Sequence, residues 1–271
     1  MTVEQINIVR KAFRENAPLI HCITNPISIN QCANAVLAIG GRPIMAEHPR
    51  EVEEITRTAD ALLLNLGNIT DARMASMMIS AKAAVDKEIP FVVDLVGIAC
   101  SKLRRDFASE LMQSYSPTII KGNYSEINAL YSSDYKTAGV DADLSLNINN
   151  ITNAAVSISQ KCNCIVLASG ETDIVACGKK VIYIKNGSRQ LASVTGTGCM
   201  LGVLCSCYLS VCTDLSAAAA ACAVLGICGE ISETERGIGS FMTNLLDSLS
   251  SLTDAEIINR LKTEEKEIEN I

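Results

Sequence analysis

The sequence contains no tryptophan, only 2 histidines and 6 prolines, and few aromatic residues, 4% in all. No stretch reaches the roughly 18 consecutive apolar residues of a membrane-spanning helix, so we expect no membrane partner. The formal net charge is -7, which leaves no excess of Lys and Arg to neutralise a phosphate backbone. Nucleic acid is therefore not an expected partner.

The abundant residues indicate a chain with a sizeable apolar core. Hydrophobic residues make up 48% and charged residues 20% of the 271 positions, which excludes disordered and low-complexity classes. We see no linker and no repeat, and we predict a single domain over residues 1–271. The N-terminal segment spreads its charges along a helical pattern and lacks the apolar core of a secretion signal.

The chain has 12 cysteines, a large number. They lie mostly among Ala, Val, Leu and Ile, where a free cysteine packs as a small apolar residue. There is no CxxC pair, and the two histidines are too few to complete a site with typical zinc-ligand spacing. In a chain without a secretion signal, these cysteines indicate a reducing, cytoplasmic setting.

Short apolar runs alternate with longer helical patterns over much of the chain. This alternation predicts an α/β fold with a mostly parallel central sheet and helices on both faces. The predicted strands cover residues 19–23, 43–46, 61–66, 91–96, 118–121 and 164–169. The predicted helices cover residues 28–39, 48–58, 70–87, 101–114 and 124–131.

The pattern changes in the second half of the chain. Two β-rich segments, 173–177 and 180–184, precede an Asn-Gly turn signal. From Gly198 onward the sequence predicts helix almost throughout. Residues 132–150 are polar and aperiodic, and we interpret them as an irregular excursion.

Polar residues stand at the ends of three predicted strands. Asp94, Lys121 and Ser169 each end or follow an apolar run, and Glu126 comes soon after Lys121. Ligands of open parallel sheets bind beyond the carboxyl ends of the strands. A surface ion pair would explain any one of these residues, but their occurrence together favours a site.

The segment VTGTGCMLG, residues 194–202, is the most informative one. Gly196 and Gly198 precede a long helical run, so bare backbone amides and the positive end of the helix can face an anion. The segment is not a full GxGxxG, and a glycine turn that simply starts a buried helix is the alternative.

Cys199 stands in the first turn of that predicted helix. The helix dipole there favours the thiolate over the thiol, and we expect this cysteine to be able to accept a proton from an alcohol.

Eight ordered segments of the chain resemble the hydroxyethylthiazole kinase family of the ribokinase-like superfamily. They are IHCITNPISIN (20–30), GGRPIMAEHPREVEE (40–54), LLLNLGNIT (62–70), FVVDLVG (91–97), IIKGNYSEINAL (119–130), ASGETD (168–173), VTGTGCMLG (194–202) and GIGSFMTNLLD (237–247). The resemblance covers nearly the whole chain, and the order and spacing of the segments make it specific.

The resemblance implies a ribokinase-like fold and an ATP-dependent kinase with an alcohol acceptor. The acceptor would be the primary alcohol of 4-methyl-5-(2-hydroxyethyl)thiazole, whose phosphate serves thiamin biosynthesis and salvage. It also implies a homotrimer with sites shared between subunits, and magnesium as the metal ion.

The resemblance also assigns roles to individual residues. The thiazole would be held by Met45, Gly196 and Asn25, ATP would be contacted by Lys121 and Ser169, and magnesium would be organised by Asp94 and Glu126. Cys199 occupies the place of an aspartate base in the wider superfamily. From the helix start itself, we expect the amides of Thr197, Gly198 and Cys199 to stabilise the transferring phosphoryl group.

Three positions depart from the family pattern. Leu95 follows Asp94 where proline is usual, so the chain is free to leave this strand along a different path. Lys121 replaces the common Arg and offers a point charge instead of a bidentate fork. Ser169 replaces the more frequent Thr and keeps the hydroxyl.

Two other functions remain open at this level. An acyl transferase with Cys199 as nucleophile would need a histidine partner. Only His21 and His48 are available, and His21 lies in an apolar strand where a packed core residue is expected. A protein that binds the thiazole or the nucleotide without catalysis is the second alternative.

Overall fold

The polypeptide folds into one sheet between two layers of helices. The computed structural model describes residues 1–134 and 147–268. The strands are β1 (Leu19–Ile23), β2 (Arg42–Ile44), β3 (Ala61–Asn65), β4 (Phe91–Asp94), β5 (Ile119–Asn123), β6 (Ile165–Ser169), β7 (Asp173–Cys177), β8 (Lys180–Ile184) and β9 (Thr263–Glu267).

The helices alternate with the parallel strands and then follow one another near the C-terminus. They are α1 (Val3–Asn16), α2 (Ile29–Ala38), α3 (Val52–Thr56), α4 (Asp71–Asp86), α5 (Lys102–Ser114), α6 (Tyr124–Asp134), α7 (Ile148–Cys162), α8 (Arg189–Ala192), α9 (Thr197–Leu209), α10 (Leu215–Ile231), α11 (Ile238–Ser251) and α12 (Asp254–Arg260).

The strands are ordered β2-β1-β3-β4-β5-β6-β7-β8-β9 across the sheet. Every pair from β2 to β6 is parallel, whereas β7, β8 and β9 continue the sheet in antiparallel pairs. The prediction of a mostly parallel α/β sheet is therefore confirmed. The parallel half places the carboxyl ends of β1 and β3–β6 along one edge.

Each face of the sheet carries its own apolar core, because successive side chains of a strand point to opposite faces. On β3, Leu63 packs in the core that contains α1, α2, α9 and α10. Its neighbours Leu62 and Leu64 pack in the opposite core with α4, α5 and α7. All five residues of β3 are buried, as expected for a parallel strand covered on both faces. Helices on both faces are thus confirmed.

Most of the cysteines pack as predicted. Within the described residues the 12 cysteines form no disulfide bond, and the buried ones are Cys22, Cys32, Cys164, Cys199, Cys205, Cys207, Cys222 and Cys228. They fill space among aliphatic side chains in both cores.

The C-terminal region differs from the prediction, which was helix almost throughout. β9 has the sequence TEEKE and pairs with β8 through backbone hydrogen bonds. Four of its five side chains are charged, and three are exposed, so it shows no apolar alternation. Glu and Lys also favour helix locally. Helix α7 was also not predicted, and the predicted helix over 48–58 is reduced to α3.

The predicted irregular excursion is wrong at both of its ends. Residues 132–134 complete α6, and residues 148–150 begin α7 behind the N-cap Asn147, whose side chain accepts from the backbone N–H of Asn150. The remainder, 135–146, lies outside the described residues. Within residues 1–134 and 147–268, no helix has both the length and the apolar character that crossing a bilayer requires.

We expect Leu63→Ala to destabilise the fold strongly. Leu63 is 0% exposed on the central part of the sheet, and removing a fully buried Leu side chain costs about 2 to 5 kcal/mol. The control is Leu103→Ala on α5, whose side chain is 58% exposed and whose loss should change stability by about 0.5 kcal/mol or less. Urea denaturation measures both variants, and equal effects would contradict this assignment of the core.

Candidate active site

The sequence-predicted polar residues meet at the carboxyl edge of the parallel strands. Asp94 is the last residue of β4 and pairs in register with Lys121, which lies inside β5. Ser169 ends β6 and pairs with Asn123 of β5. Glu126 follows in the first turn of α6. The parallel register therefore brings these residues side by side on three neighbouring strands.

Asp94 and Lys121 form a buried ion pair. Lys121 Nζ donates to Asp94 Oδ1 at 2.9 Å and to the carbonyl oxygen of Gly198 at 3.0 Å. Burial raises the pKa of Asp94 to about 6, although the Lys121 charge opposes this rise. Burial alone would lower the pKa of Lys121, but the carboxylates of Asp94 and Glu126 outweigh it and raise that pKa. Lys121 is therefore a cation held against the first turn of α9.

Glu126 is oriented by backbone N–H groups of the loop after β4 and of the end of β5. Its Oε1 accepts from the N–H of Gly97 at 2.8 Å, and its Oε2 accepts from the N–H of Asn123 at 2.7 Å. The Glu126 charge contributes to the raised pKa of Asp94. The Glu126 carboxylate therefore acts electrostatically on Asp94 across the end of β5.

The predicted glycine turn and helix start are present. Gly196 caps α9 with a φ of +97°, a conformation that favours glycine. The first helical bond runs from Met200 N–H to the Gly196 carbonyl at 2.8 Å. Among the described residues, the backbone N–H groups of Thr197, Gly198 and Cys199 have no hydrogen-bond partner. These three donors are free amides at the N-terminus of the helix.

Gly202 lets α9 pack directly against Asp94. A Cβ at residue 202 would lie 2.9 Å from Asp94 Oδ2, a distance too short for any side chain. The absence of a side chain here fixes how closely the helix approaches the end of β4.

Cys199 lies in the first turn of α9, as predicted, and is 8% exposed. Its sulfur accepts from Asn25 Nδ2 at 3.2 Å and from Asn65 Nδ2 at 3.4 Å. Burial and the Asp94 charge nevertheless raise the pKa of the thiol above its ordinary value. The expectation of a favoured thiolate is therefore wrong, because burial and the neighbouring carboxylate prevail over the helix terminus.

Asn65 is a site residue that the sequence analysis missed. It ends β3, is 0% exposed, and donates to Asp94 Oδ2 at 2.8 Å as well as to Cys199. Its Oδ1 accepts from the N–H of Gly67 at 2.9 Å. A polar residue closing the apolar run 61–64 was the available signal, the same one that identified Asp94.

Two of the residues predicted to hold the thiazole, Asn25 and Gly196, lie close to Cys199. Asn25 follows β1 and contacts Cys199 directly. A Cβ at Gly196 would lie 3.4 Å from the side chain of Ser28, just before α2. Met45 follows the edge strand β2, which pairs with β1. The ends of β1 and β2 and the turn before α9 thus carry the three residues predicted to hold the thiazole.

A cavity of about 690 Å³ opens beside the start of α9. Ser169, Thr197 and Gly198 line it, together with the apolar side chains of Leu191, Leu201 and Leu225. Ser169, one of the two predicted ATP contacts, therefore faces the same space as Thr197 and Gly198 of the predicted anion-binding turn. Lys121, the other predicted ATP contact, does not line this cavity. The loop 185–189 forms a further side of this cavity.

Neither histidine lies beside Cys199. His21 is fully buried in β1, with its Nδ1 2.9 Å from Thr56 Oγ1 and its Nε2 2.9 Å from the Ala46 carbonyl oxygen. His48 lies in the loop before α3 and accepts from the N–H of Arg50. The structure thus provides no Cys–His pair around Cys199 within the described residues, and an acyl transferase of that type is disfavoured.

A family model named Hydroxyethylthiazole kinase family matches residues 10–255. The chain is 44% identical over 259 residues to Hydroxyethylthiazole kinase 1 of Clostridium botulinum strain Loch Maree, with 94% of this chain and 98% of the relative covered. It is 40% identical to Hydroxyethylthiazole kinase of Finegoldia magna, with 92% of each chain covered. This chain belongs to the hydroxyethylthiazole kinase family.

A solved structure supports the same assignment of family and fold. The hydroxyethylthiazole kinase protein of Pyrococcus horikoshii OT3 superposes with a TM-score of 0.90 at 31% identity, covering 97% of this chain and 100% of that one. A ribokinase-like superfamily protein of Enterococcus faecalis V583 shares the fold with a TM-score of 0.64 at 10% identity, covering 94% and 95%. The predicted ribokinase-like fold is confirmed.

In this member of the hydroxyethylthiazole kinase family, Asp173 is a further carboxyl in the wall of the cavity. It begins β7, and its Oδ1 accepts from the N–H of Gly170 at 3.0 Å. Burial raises the pKa of Asp173 to about 6, although the bond from Gly170 opposes this rise. The ionised carboxylate is thus less favourable in the folded protein than in water.

We expect Asp173→Asn to change how stability depends on pH. The raised pKa means that the folded protein holds this proton more tightly than the unfolded chain, so wild type loses stability as pH rises from about 4 to about 6. Asn cannot ionise, and its Oδ1 can keep the bond from Gly170. The variant should gain about 3 kcal/mol relative to wild type at pH 8 and little at pH 4. Urea denaturation at both pH values measures this, and equal differences would contradict the raised pKa.

Proposed function

We propose that this chain transfers the terminal phosphoryl group of ATP to the primary alcohol of 4-methyl-5-(2-hydroxyethyl)thiazole. The thiazole phosphate formed in this way would serve thiamin biosynthesis and salvage. The observation that carries the proposal is the start of α9. Thr197 and Gly198, whose backbone amides are unpaired, line the 690 Å³ cavity. The Gly198 carbonyl oxygen also accepts from Lys121 of the buried pair with Asp94. Membership of the hydroxyethylthiazole kinase family supports the same reaction.

The nucleotide would occupy the cavity of about 690 Å³. Its apolar side chains suit a base, whereas Ser169 and the α9 terminus suit the phosphates. Lys121 Nζ has two of its three protons engaged by Asp94 and Gly198. The third is available to a phosphate oxygen next to the helix start. Lys121 is therefore assigned to ATP through its position beside Gly198.

The carboxylates fit a magnesium ion that is shared with the nucleotide. Asp94 and Glu126 each accept one hydrogen bond per oxygen, which leaves lone pairs for a cation or its waters. No group of three or more His, Cys, Asp or Glu among the described residues is arranged to hold a metal by itself. Magnesium typically uses one or two carboxylates, water and phosphate oxygens. When bound, it would offset the charge of the polyphosphate.

Charge stabilisation is assigned to the α9 amides, and proton transfer to Cys199. In phosphoryl transfer the protein mainly positions the groups and neutralises charge, and losing one such donor costs about 3 to 4 kcal/mol at comparable sites. Cys199 accepts the proton of the alcohol. Its raised pKa makes the thiolate a stronger base, although less of it is present at neutral pH.

The acceptor would lie on the Cys199 side of the helix start. Asn25 and Gly196 line this side, and Met45 follows the neighbouring edge strand. The alcohol would then approach the phosphoryl group from the wall opposite the nucleotide. Its hydroxyl would then lie next to the Cys199 sulfur, between the thiazole and the nucleotide.

A homotrimer with sites shared between subunits is part of the proposal, as is a cytoplasmic location. The apolar residues Leu37 and Ile238 are 57% and 63% exposed on α2 and α11, helices that pack against each other. Such side chains supply apolar surface for contacts between copies. They lie on the helix layer that also contains the start of α9.

A coupled ADP-release assay with magnesium, ATP and the thiazole alcohol tests the reaction. Wild type should release ADP with this alcohol and not with hydroxymethylpyrimidine. Gly198→Val should abolish turnover, because the added methyl groups occupy the approach to the amides, while thermal unfolding shows that the fold is kept. The control is Gly239→Val, where a Cβ meets nothing within 4 Å. Undiminished turnover in Gly198→Val would contradict the proposal that the α9 amides bind the transferring phosphoryl group.

Variants of Cys199 separate a base from an obligate thiol. Cys199→Ala should lower kcat by about 10² to 10⁴, and Cys199→Asp should retain activity because a carboxylate can also accept the proton. Cys205→Ala is the control, since Cys205 is buried in the same helix and packs in the apolar core. Steady-state kinetics gives the comparison. Complete inactivity of a folded Cys199→Asp variant would refute a simple base role.

A further inference from the structure

Arg73 is a buried cation in the first turns of α4 that the proposed reaction does not use. It is 3% exposed. Its Nη1 donates to the carbonyl oxygens of Gly67 at 3.0 Å and Asn68 at 2.7 Å, and its Nη2 donates to that of Thr24. Its Nε lies 3.3 Å from Oε2 of Glu47. One guanidinium thus joins three separate segments of the chain.

These three segments carry, or pack against, Asn25 and Met45, the residues proposed to face the alcohol acceptor. Thr24 directly precedes Asn25, which contacts Cys199. A Cβ at Gly67 would lie 2.9 Å from Asn25 Nδ2, so the loop after β3 packs on the same side chain. Glu47 comes two residues after Met45. None of the segments lines the cavity assigned to the nucleotide.

The sheet does not set the relative positions of these segments. The ladder between β1 and β3 ends with Ile23 opposite Leu64, and the ladder between β1 and β2 ends with His21 opposite Ile44. Beyond these points the backbone is irregular, and Asn68 has a φ of +49°. The carbonyl groups there accept from Arg73 instead of from a neighbouring strand. Ser76, one turn further along α4, adds a bond to the carbonyl oxygen of Glu47 at 2.8 Å.

A guanidinium suits this task because it presents five donors in a rigid plane. Three carbonyl oxygens accept from Nη1 and Nη2 of Arg73, and a carboxylate oxygen of Glu47 forms an ion pair on the Nε side without a hydrogen bond to Nε. Lysine offers one point charge and cannot span the same acceptors in fixed geometry. The arrangement therefore fixes angles between the loops as well as distances.

We propose that Arg73 is a positioning residue for the alcohol acceptor, which holds the loops after β1, β2 and β3 so that Asn25 and Met45 face the start of α9. This inference rests on the proposed function. It predicts that losing Arg73 weakens use of the thiazole alcohol and leaves use of ATP unchanged.

The test compares Arg73→Met with Arg10→Met. Arg10 is 6% exposed and binds Asn7, Asp254 and the carbonyl oxygen of Leu252, so it is a second buried arginine joining loops to a helix, remote from the site. Arg73→Met should lower kcat/KM for the alcohol by about 10- to 100-fold, mainly through KM, with the KM for ATP within about twofold of wild type. Arg10→Met should leave both values unchanged.

Two milder variants keep the proposal testable if Arg73→Met does not fold. Arg73→Lys should recover part of the affinity for the alcohol. Glu47→Gln removes the ion pair but keeps the three carbonyl bonds. It should therefore raise the KM for the alcohol by less than Arg73→Met does. If Arg73→Met does not fold, the comparison is with Arg73→Lys. Equal KM values for the alcohol in wild type and all folded Arg73 and Glu47 variants would overturn the proposal and leave Arg73 a purely structural role.

Hydrogen exchange separates this inference from the proposed reaction. Wild type that does not phosphorylate the thiazole alcohol would overturn the proposed function. In that case amide exchange at residues 45–47 and 67–68, measured without substrate, still tests Arg73. Faster exchange there in Arg73→Lys or Arg73→Met, but not in Arg10→Met, would support its positioning of the loops. Unchanged exchange would refute it.

Discussion

The buried ion pair between Asp94 and Lys121 is the interaction on which the site depends. It links adjacent strand ends at 2.9 Å, and through Lys121 it reaches the carbonyl oxygen of Gly198 in the first turn of α9. A buried pair of this kind adds little net stability, because desolvation offsets its attraction. Its effect is geometric. It sets the helix start, the carboxylate and a cation in one fixed arrangement.

The parallel half of the fold, and the meeting of Asp94, Lys121 and Ser169 at one edge of its sheet, were predictable from the sequence. Apolar runs that end in Asp94 or Ser169 mark strands whose carboxyl ends share an edge. The segment before α9 combined glycines with a helical pattern, and Gly196 has the left-handed conformation that such a turn needs. Both signals are local, so a single sequence contains them.

The features that escaped prediction depend on contacts between distant segments. β9 forms because the backbone of β8 offers a free edge, although its Glu and Lys side chains favour helix. The raised pKa of Cys199 follows from burial and from Asp94, which lies 105 positions away in the sequence. Asn65 and Arg73 resemble ordinary strand-end and helix residues until folding brings their partners to them.

Gly202 has a consequence for how the site can move. With no side chain between α9 and Asp94, the helix and the end of β4 behave as one rigid body, since close-packed surfaces do not deform continuously. The proposed donors for the phosphoryl group and the Asp94 carboxylate therefore stay at a fixed separation. Any adjustment that fits the enzyme around its reactants must therefore come from the loops after β1, β2 and β3.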